Sequence, residues 1–314
     1  MLIRSLLVVP PLKPDVVAKA VRTSADALLI ELEDGIHHSR KNEARAAVAD
    51  FLRSDLNRHK PAIVRINDVL HPFGMADIEA LTAADATDLM LPKIRTLADV
   101  ERADALLRRA EGNATRPMGS VRLWVMMETT EAILNAQAIA AHPRVRGLLF
   151  GPGDLSAELF VRRIGLGAER AIWDFPLELL YAKQHTLLAA RAAGVVALDT
   201  SPTNFRDIDA TTATALAAAQ MGFDGLLVLS PRQIPPVHAA LTPSDADYAW
   251  ATAAIKAVQA AEENGETVAV LDGEMIEGPL VRNAVSIVRR YELAQTRHPA
   301  ASAPPADPVA GRVR

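Results

Sequence analysis

The chain has 314 residues, 38 acidic against 34 basic side chains and a formal net charge of −4, so it carries no basic field to attract nucleic acid or an anionic membrane. Half of its residues are hydrophobic and 23% are charged, which describes a globular protein with ample core; the length fits either two domains or one large α/β barrel. With no cysteine, disulfides, thiolate metal sites and cysteine nucleophiles are excluded, and no apolar run approaches the roughly 20 residues that cross a bilayer.

Leu2 to Val9 is a short apolar run stopped by Pro10-Pro11. With one early positive charge and no small-residue cleavage site, it reads as a first strand rather than a signal peptide, and a cytoplasmic enzyme is expected. Asp15 to Ser24 has helical spacing, and Asp26 to Leu32 is a second strand that ends in Glu33-Asp34-Gly35. Ser39 opens a helix to about Leu52, without a strict capping box because Glu43 lies four residues on. Pro61 to Ile66 is a third strand that delivers Arg65 and Asn67, and Pro72 to Ala84 is helical. Asp88 to Leu91 is a fourth strand, followed by Pro92-Lys93, and Leu97 to Ala110 is a helix.

Val121 to Met127 is the fifth strand and ends abruptly in Glu128-Thr129-Thr130; a helix over Ala132 to Ala141 follows. Arg146 to Phe150, the sixth, ends in Gly151-Pro152-Gly153-Asp154. The connection from Leu155 to Phe175 holds Arg162 and Arg163 and is expected to be a loop over the site, before a helix from about Pro176 to Ala193. Val195 to Leu198 is the seventh strand, ending in Asp199-Thr200; Ala210 to Met221 is a helix, and Gly225 to Leu229 the eighth strand.

Strand-like runs alternating with helices, each run near-continuously apolar, are the pattern of a parallel sheet buried on both faces. A doubly wound sheet would usually carry a glycine-rich phosphate turn after its first strand, where this chain has Pro10-Pro11. The expectation is an α/β fold, a (β/α)8 TIM barrel over residues 1–241. Residues 242–296 then form a C-terminal helical lid or oligomerisation arm: a helix from Asp245 to Asn264, a short run at Thr267 to Leu271, a loop to Pro279 and a helix from about Leu280 to Leu293. Residues 297–314, rich in Pro and Ala, are expected to be a disordered tail.

In such a barrel every strand's C-terminal end faces one opening. Glu33, Asp34, Arg65, Asn67, Lys93, Glu128, Asp154 and Asp199 would converge there, with the Thr129 hydroxyl beside Glu128. Glu128 and Asp154, on successive strands, offer two hard oxygen ligands, and Mg²⁺ takes only one or two carboxylates while leaving other positions to water and substrate. Glu33 and Asp34 would hydrogen-bond the metal's waters, and Arg65, steadied by Asn67, would be a planar fork for a substrate carboxylate or carbonyl. Against this, a lone acid after a strand is ordinarily an N-cap, Arg65 alone would be a structural ion pair, and Lys93 would be solvated. Acids on four strand ends with an arginine on a fifth favour a site. The eight histidines show no metal spacing, and Ser156 and Ser230 lack the setting of a hydrolase nucleophile.

Over residues 2 to about 293 the chain resembles the HpcH/HpaI aldolase and citrate lyase β-subunit-like family. The resemblance is carried by Arg4-Ser5-Leu6-Leu7-Val8-Val9-Pro10, Leu32-Glu33-Asp34, Val64-Arg65-Ile66-Asn67, Leu91-Pro92-Lys93, Glu128-Thr129 through Leu134-Asn135-Ala136, and Phe150-Gly151 to Asp154-Leu155. It continues through Asp199-Thr200, Phe205-Arg206-Asp207, Gly222-Phe223-Asp224-Gly225 and Asp272-Gly273 to Met275-Ile276. The resemblance implies a metal-dependent TIM barrel, a trimer or hexamer, that makes or breaks a C–C bond in a small oxo-acid or acyl-CoA substrate. It implies Mg²⁺, with Mn²⁺ as the alternative ion, and a CoA thioester as substrate carrier. It also implies that Glu128 and Asp154 ligate the metal, that Arg65 grips the oxo-acid, and that Glu277 acts as acid/base in a neighbouring subunit's site, one methylene longer than the family's residue.

Three departures stand out. Pro11 replaces the glycine after the first strand, Gly225-Leu226-Leu227-Val228-Leu229-Ser230-Pro231 lacks the family's Lys and His, and Ala132 replaces a glycine after the Glu-Thr pair. Lys13 and Lys19 are expected as phosphate contacts for the carrier, though a solvated helix face would explain them as well. The first reading is therefore a metal-dependent C–C lyase. The alternatives are a thioesterase or malate-synthase-like activity on the same scaffold, or a non-catalytic binding subunit.

Overall fold

The computed structural model describes residues 2–161 and 177–297. The loop expected around Arg162 and Arg163, and the tail beyond residue 297, lie outside the described residues. The chain divides into two compact units, one spanning Ile3–Leu241 and one beginning at Thr242.

In the first unit eight parallel strands pair in chain order. They are β1 (Ser5–Val9), β2 (Ala27–Glu31), β3 (Ala62–Arg65), β4 (Asp88–Leu91), β5 (Arg122–Met127), β6 (Val145–Phe150), β7 (Val196–Thr200) and β8 (Gly225–Val228). β8 returns to β1 with Leu227 opposite Leu6, which closes the barrel. The TIM barrel expected from the strand rhythm is the fold observed. Around it run α1 (Pro14–Val21), α2 (Lys41–Arg53), α3 (Pro72–Thr82), α4 (Leu97–Asn113), α5 (Thr130–Leu134), α6 (Ala136–Ala140), α7 (Pro152–Glu158), α8 (Leu177–Ala193), α9 (Ile208–Met221) and α10 (Ile234–Leu241).

Strand alternation sorts the side chains into two cores. Leu6, Leu29, Ile63, Met90, Trp124, Leu149, Leu198 and Leu227, one from each strand, fill the barrel interior. Leu7, Leu28, Ile30, Val64, Val125, Leu148, Ala197 and Val228 face outward, under the helices. Trp124 fits the interior because Gly147 faces it: a Cβ there would lie 2.2 Å from the indole ring. Its Nε1 donates to Asp88 at 2.9 Å. Outside the barrel, Arg144 ties α4 to the sheet through Asp104 (2.5 Å) and Glu111 (2.8 Å).

Some elements differ from the expected ones. The single helix expected over 132–141 is two, α5 and α6, broken at Asn135. The connection after β6 begins with the short helix α7, and α10 follows β8 although Pro235 and Pro236 sit in its first turn. Proline is tolerated there because first-turn N–H groups have no helical acceptor.

In the second unit α11 (Asp245–Glu263) and α12 (Gly278–Arg297) flank the antiparallel pair β9 (Ala269–Leu271) and β10 (Glu274–Ile276). α11 starts at a capping box between Ser244 and Asp247. Ala251, Ala254, Val258 and Ala261 line one face of α11 and pack with Ala269, Ile276 and Ala284.

Candidate active site

Inward-facing positions at the C-terminal ends of β2, β3 and β5 carry charge above the apolar layer of Leu29, Ile63 and Trp124. On β2 alternation turns Glu31 and Glu33 toward the interior and leaves Leu32 in the outer core. Arg65, the last residue of β3, lies opposite Glu31 in the register. Its Nε donates to Glu31 Oε2 at 2.7 Å, and its Nη2 lies 2.6 Å from the same oxygen and 3.4 Å from Glu33 Oε2. Burial opposes the charge on Arg65, but Glu31 and Glu33 outweigh it and hold the guanidinium pKa above its ordinary value.

Lys93, just past β4, extends this line of charges. Its Nζ meets Glu33 Oε1 at 2.6 Å and Asp34 Oδ1 at 3.2 Å. Its backbone is left-handed (φ 54°), and its main-chain N–H donates to Glu128 Oε1 at 2.7 Å. Burial opposes the ammonium charge, and Glu33 and Asp34 override it and raise its pKa. Arg65, Glu33, Lys93 and Glu128 are thus linked in sequence across the mouth.

Glu128 is 4% exposed. Its carboxyl is pushed up to about 8, first by burial and then by the charges of Asp154 and Glu33, against the Lys93 N–H and Arg65. Asp154 stands in the first turn of α7, exposed to solvent. Gly151, between β6 and α7, makes room for Glu128: a Cβ there would lie 2.7 Å from the Glu128 Cβ.

The chain matches the HpcH/HpaI aldolase/citrate lyase family over residues 4–231. It belongs to that family. A (3S)-malyl-CoA thioesterase of Cereibacter sphaeroides is 35% identical over 274 residues, 87% of this chain and 89% of that one. The citrate lyase subunit beta of Leuconostoc mesenteroides subsp. cremoris is 31% identical over 296 residues, 94% of each chain. Among solved structures, the CitE protein of Mycobacterium tuberculosis in complex with magnesium, acetoacetate and coenzyme A is 30% identical and covers 93% of this chain and 98% of its own, with a TM-score of 0.73. This chain is accordingly an enzyme of the aldolase/citrate lyase type. No helix among the described residues is long and apolar enough to cross a membrane.

Of the residues expected at the mouth of this family barrel, the structure joins Glu33, Asp34, Arg65, Lys93 and Glu128 through direct contacts, with Asp154 close enough for its charge to act on Glu128. It places others elsewhere. Asp199 faces outward, because Val196 and Leu198 take the inward positions of β7; it pairs with Lys183 of α8 at 2.8 Å. Asn67 does not steady Arg65: its N–H and Nδ2 both donate to Asp77 of α3, at 2.9 and 2.6 Å. Thr129 is the N-cap of α5, accepting from Ala132 N at 3.0 Å and donating to Ile94 O at 2.8 Å.

Lys13 precedes α1 at its mouth end, whereas Lys19 is in the last turn, which a barrel directs to the opposite face. Glu277 immediately precedes α12 in the second unit and is exposed. Glu31, Asp77 and Lys183 are functional or supporting residues that strand-end reading passed over. The two-residue spacing from Glu33 puts Glu31 on the same face, but only once Glu33 is known to point inward.

The donor set fits a hard divalent ion. Glu31, Glu33 and Asp34 are paired with Arg65 and Lys93, which leaves Glu128 and Asp154 as the oxygen donors, and among the described residues no three acidic or histidine side chains close on one point. Burial is what chiefly raises the Glu128 carboxyl, and the charge of Asp154 adds to it. Magnesium, which needs only one or two carboxylates, suits Glu128 and Asp154.

Proposed function

We propose that this chain is a Mg²⁺-dependent carbon–carbon lyase acting on a 3-hydroxy-acyl-CoA-like thioester or a free hydroxy-oxo acid by retro-aldol or Claisen-type cleavage. The observation that carries the reading is the linked line Arg65–Glu33–Lys93–Glu128, which sets a fixed guanidinium across the mouth from a buried carboxylate. Glu128 and Asp154 would hold the ion and Arg65 would take the carboxylate or keto oxygen of the oxo-acid half. Bound there, the ion supplies positive charge to the substrate oxygen that turns negative as the C–C bond breaks. The chain's own residues orient: the Lys93 N–H fixes one oxygen of Glu128, Glu33 spaces Lys93 from Arg65, and the apolar layer below excludes water.

Support comes from the relatives. The Mycobacterium tuberculosis citrate lyase beta subunit, solved with oxaloacetate and magnesium, is 30% identical over 77% of this chain. Glu277 is proposed as the acid/base, brought by residues 242–296 of a second copy in a cytoplasmic trimer or hexamer, with Lys13 and Lys19 as candidate contacts for the CoA carrier. The test is metal titration and turnover of Glu128→Ala; if both match the parent protein, the site reading is wrong.

A second reading, thioester hydrolysis on the same scaffold, is favoured by the 35% identity to a (3S)-malyl-CoA thioesterase. Products from malyl-CoA or citramalyl-CoA separate the two, because hydrolysis releases the free hydroxy acid and lyase cleavage does not.

A further inference from the structure

Glu31, the last residue of β2, is a carboxylate inside the barrel, 5% exposed and one layer below Glu33. Burial pushes its carboxyl pKa up, against the pull of Arg65. Stability gives little reason for it to be there: a buried ion pair is often no better than two well-packed apolar side chains, and the neighbouring inward positions Leu29 and Ile63 are apolar.

What Glu31 supplies is geometry. Its Oε2 meets both Nε (2.7 Å) and Nη2 (2.6 Å) of Arg65, one whole edge of the guanidinium. Its Oε1 accepts the Glu33 N–H at 2.5 Å, so the carboxylate is held at both oxygens. The other edge of Arg65 is differently placed. Nη1 meets only the thioether of Met126, at 3.4 Å, among the described residues, and a thioether is a weak acceptor.

We propose that Glu31 is a positioning residue that clamps the Nε–Nη2 edge of Arg65 and presents the Nη1 side to the carboxylate or keto oxygen of the oxo-acid. The proposal rests on the reading of Arg65 as the oxo-acid grip. Glutamine cannot replace Glu31 in this role. Both oxygens accept hydrogen bonds here, and an amide would turn a donor either onto Arg65 or onto the Glu33 N–H.

The test is calorimetric titration of the Mg²⁺-loaded full chain with oxaloacetate, beside titration of the metal-free chain with Mg²⁺. Glu31→Gln is expected to weaken oxaloacetate by about tenfold or more and to lower the melting temperature, because Arg65 loses a buried counter-ion, while the folded variant keeps a Mg²⁺ affinity near that of the parent. Arg65→Lys is expected to weaken oxaloacetate as well, and the double variant to be no weaker than Arg65→Lys alone, because the two residues act as one unit. Parent-like oxaloacetate binding by Glu31→Gln overturns the proposal, as do additive losses or a parallel collapse of Mg²⁺ binding in the folded variant. Should Glu31→Gln not fold, Glu31→Asp, which draws the acceptors back by one methylene, is expected to weaken oxaloacetate severalfold; parent-like binding there overturns it. If Arg65→Lys itself leaves oxaloacetate binding intact, the reading of Arg65 has failed; if only Glu31→Gln does, Arg65 stands and Glu31 alone is misassigned.

Discussion

Lys93 holds Glu128 with its backbone rather than with its charge: the main-chain N–H reaches Glu128 Oε1 at 2.7 Å while the ammonium turns away to Glu33 at 2.6 Å. The left-handed φ of 54° aims that N–H, at a cost of roughly 1 kcal/mol for a side chain other than glycine. The two roles can be separated by substitution. Lys93→Gly is expected to keep Mg²⁺ affinity, because glycine adopts the same φ freely, and to weaken the oxo-acid, because Glu33 and Asp34 lose their counter-ion. Lys93→Pro removes the N–H and forbids the φ, and is expected to weaken Mg²⁺ by about tenfold or more. Calorimetric Mg²⁺ titration of both variants decides; equal Mg²⁺ affinities would refute the backbone role.

As the proposed metal ligand, Glu128 is expected to make Mg²⁺ binding depend on pH. Its carboxyl is pushed up to about 8 from 4.5 in the metal-free fold, so between those values the folded protein holds a proton that the unfolded chain has lost. The contribution to stability is present below the unfolded value and is lost as pH rises through the folded one. Magnesium needs the carboxylate, so its affinity is expected to climb with pH by up to about tenfold per unit and to level off above about pH 8. Calorimetry in two buffers of different ionisation enthalpy would show the accompanying proton release, and a pH-independent Mg²⁺ affinity would exclude it.

Much of this site is legible in the amino-acid order because each barrel strand is an apolar run ending in charge. Glu33, Arg65, Lys93 and Glu128 announce themselves in that way. What such runs conceal is parity. Both faces of a barrel strand are buried, so no polar alternation marks which residues point inward. Glu31 therefore reads as part of the apolar run Ala27-Leu28-Leu29-Ile30, and Asp199 reads as a mouth residue although Leu198 holds the inward place. Short helices conceal themselves too: α7 is a seven-residue helix that begins at Pro152, and α10 has two prolines in its first turn.

The outward placement of Asp199 has its own consequence. It is 1% exposed and pairs with Lys183, which also lies 5.7 Å from the Phe150 ring centroid. Asp199→Asn is expected to destabilise by about 3–5 kcal/mol, since it removes the buried carboxylate that pairs with the Lys183 ammonium, while the double change Asp199→Leu with Lys183→Met recovers much of that loss. Mg²⁺ and oxaloacetate affinities should stay at parent values in both. Thermal melts and titrations on the same samples decide, and a loss of Mg²⁺ affinity in the folded double variant would return Asp199 to the mouth.

Gly151 offers the sharpest steric test of the metal pair. A methyl group there would lie 2.7 Å from the Glu128 Cβ and 3.1 Å from the Met126 Cγ, well inside van der Waals contact, and both neighbours are buried. Neither can swing away: Met126 is packed in the barrel interior, and Glu128 is tied to the Lys93 N–H. Gly151→Ala should therefore cost about 1–3 kcal/mol in stability as overpacking, and the strain should fall on the carboxylate whose oxygens would meet the ion. The expected result is a protein that folds with a lower melting temperature and binds Mg²⁺ at least about tenfold more weakly. Gly153→Ala is the control, because nothing lies within 4 Å of a Cβ at that position. If both variants bind Mg²⁺ as the parent does, Glu128 is not where the metal sits.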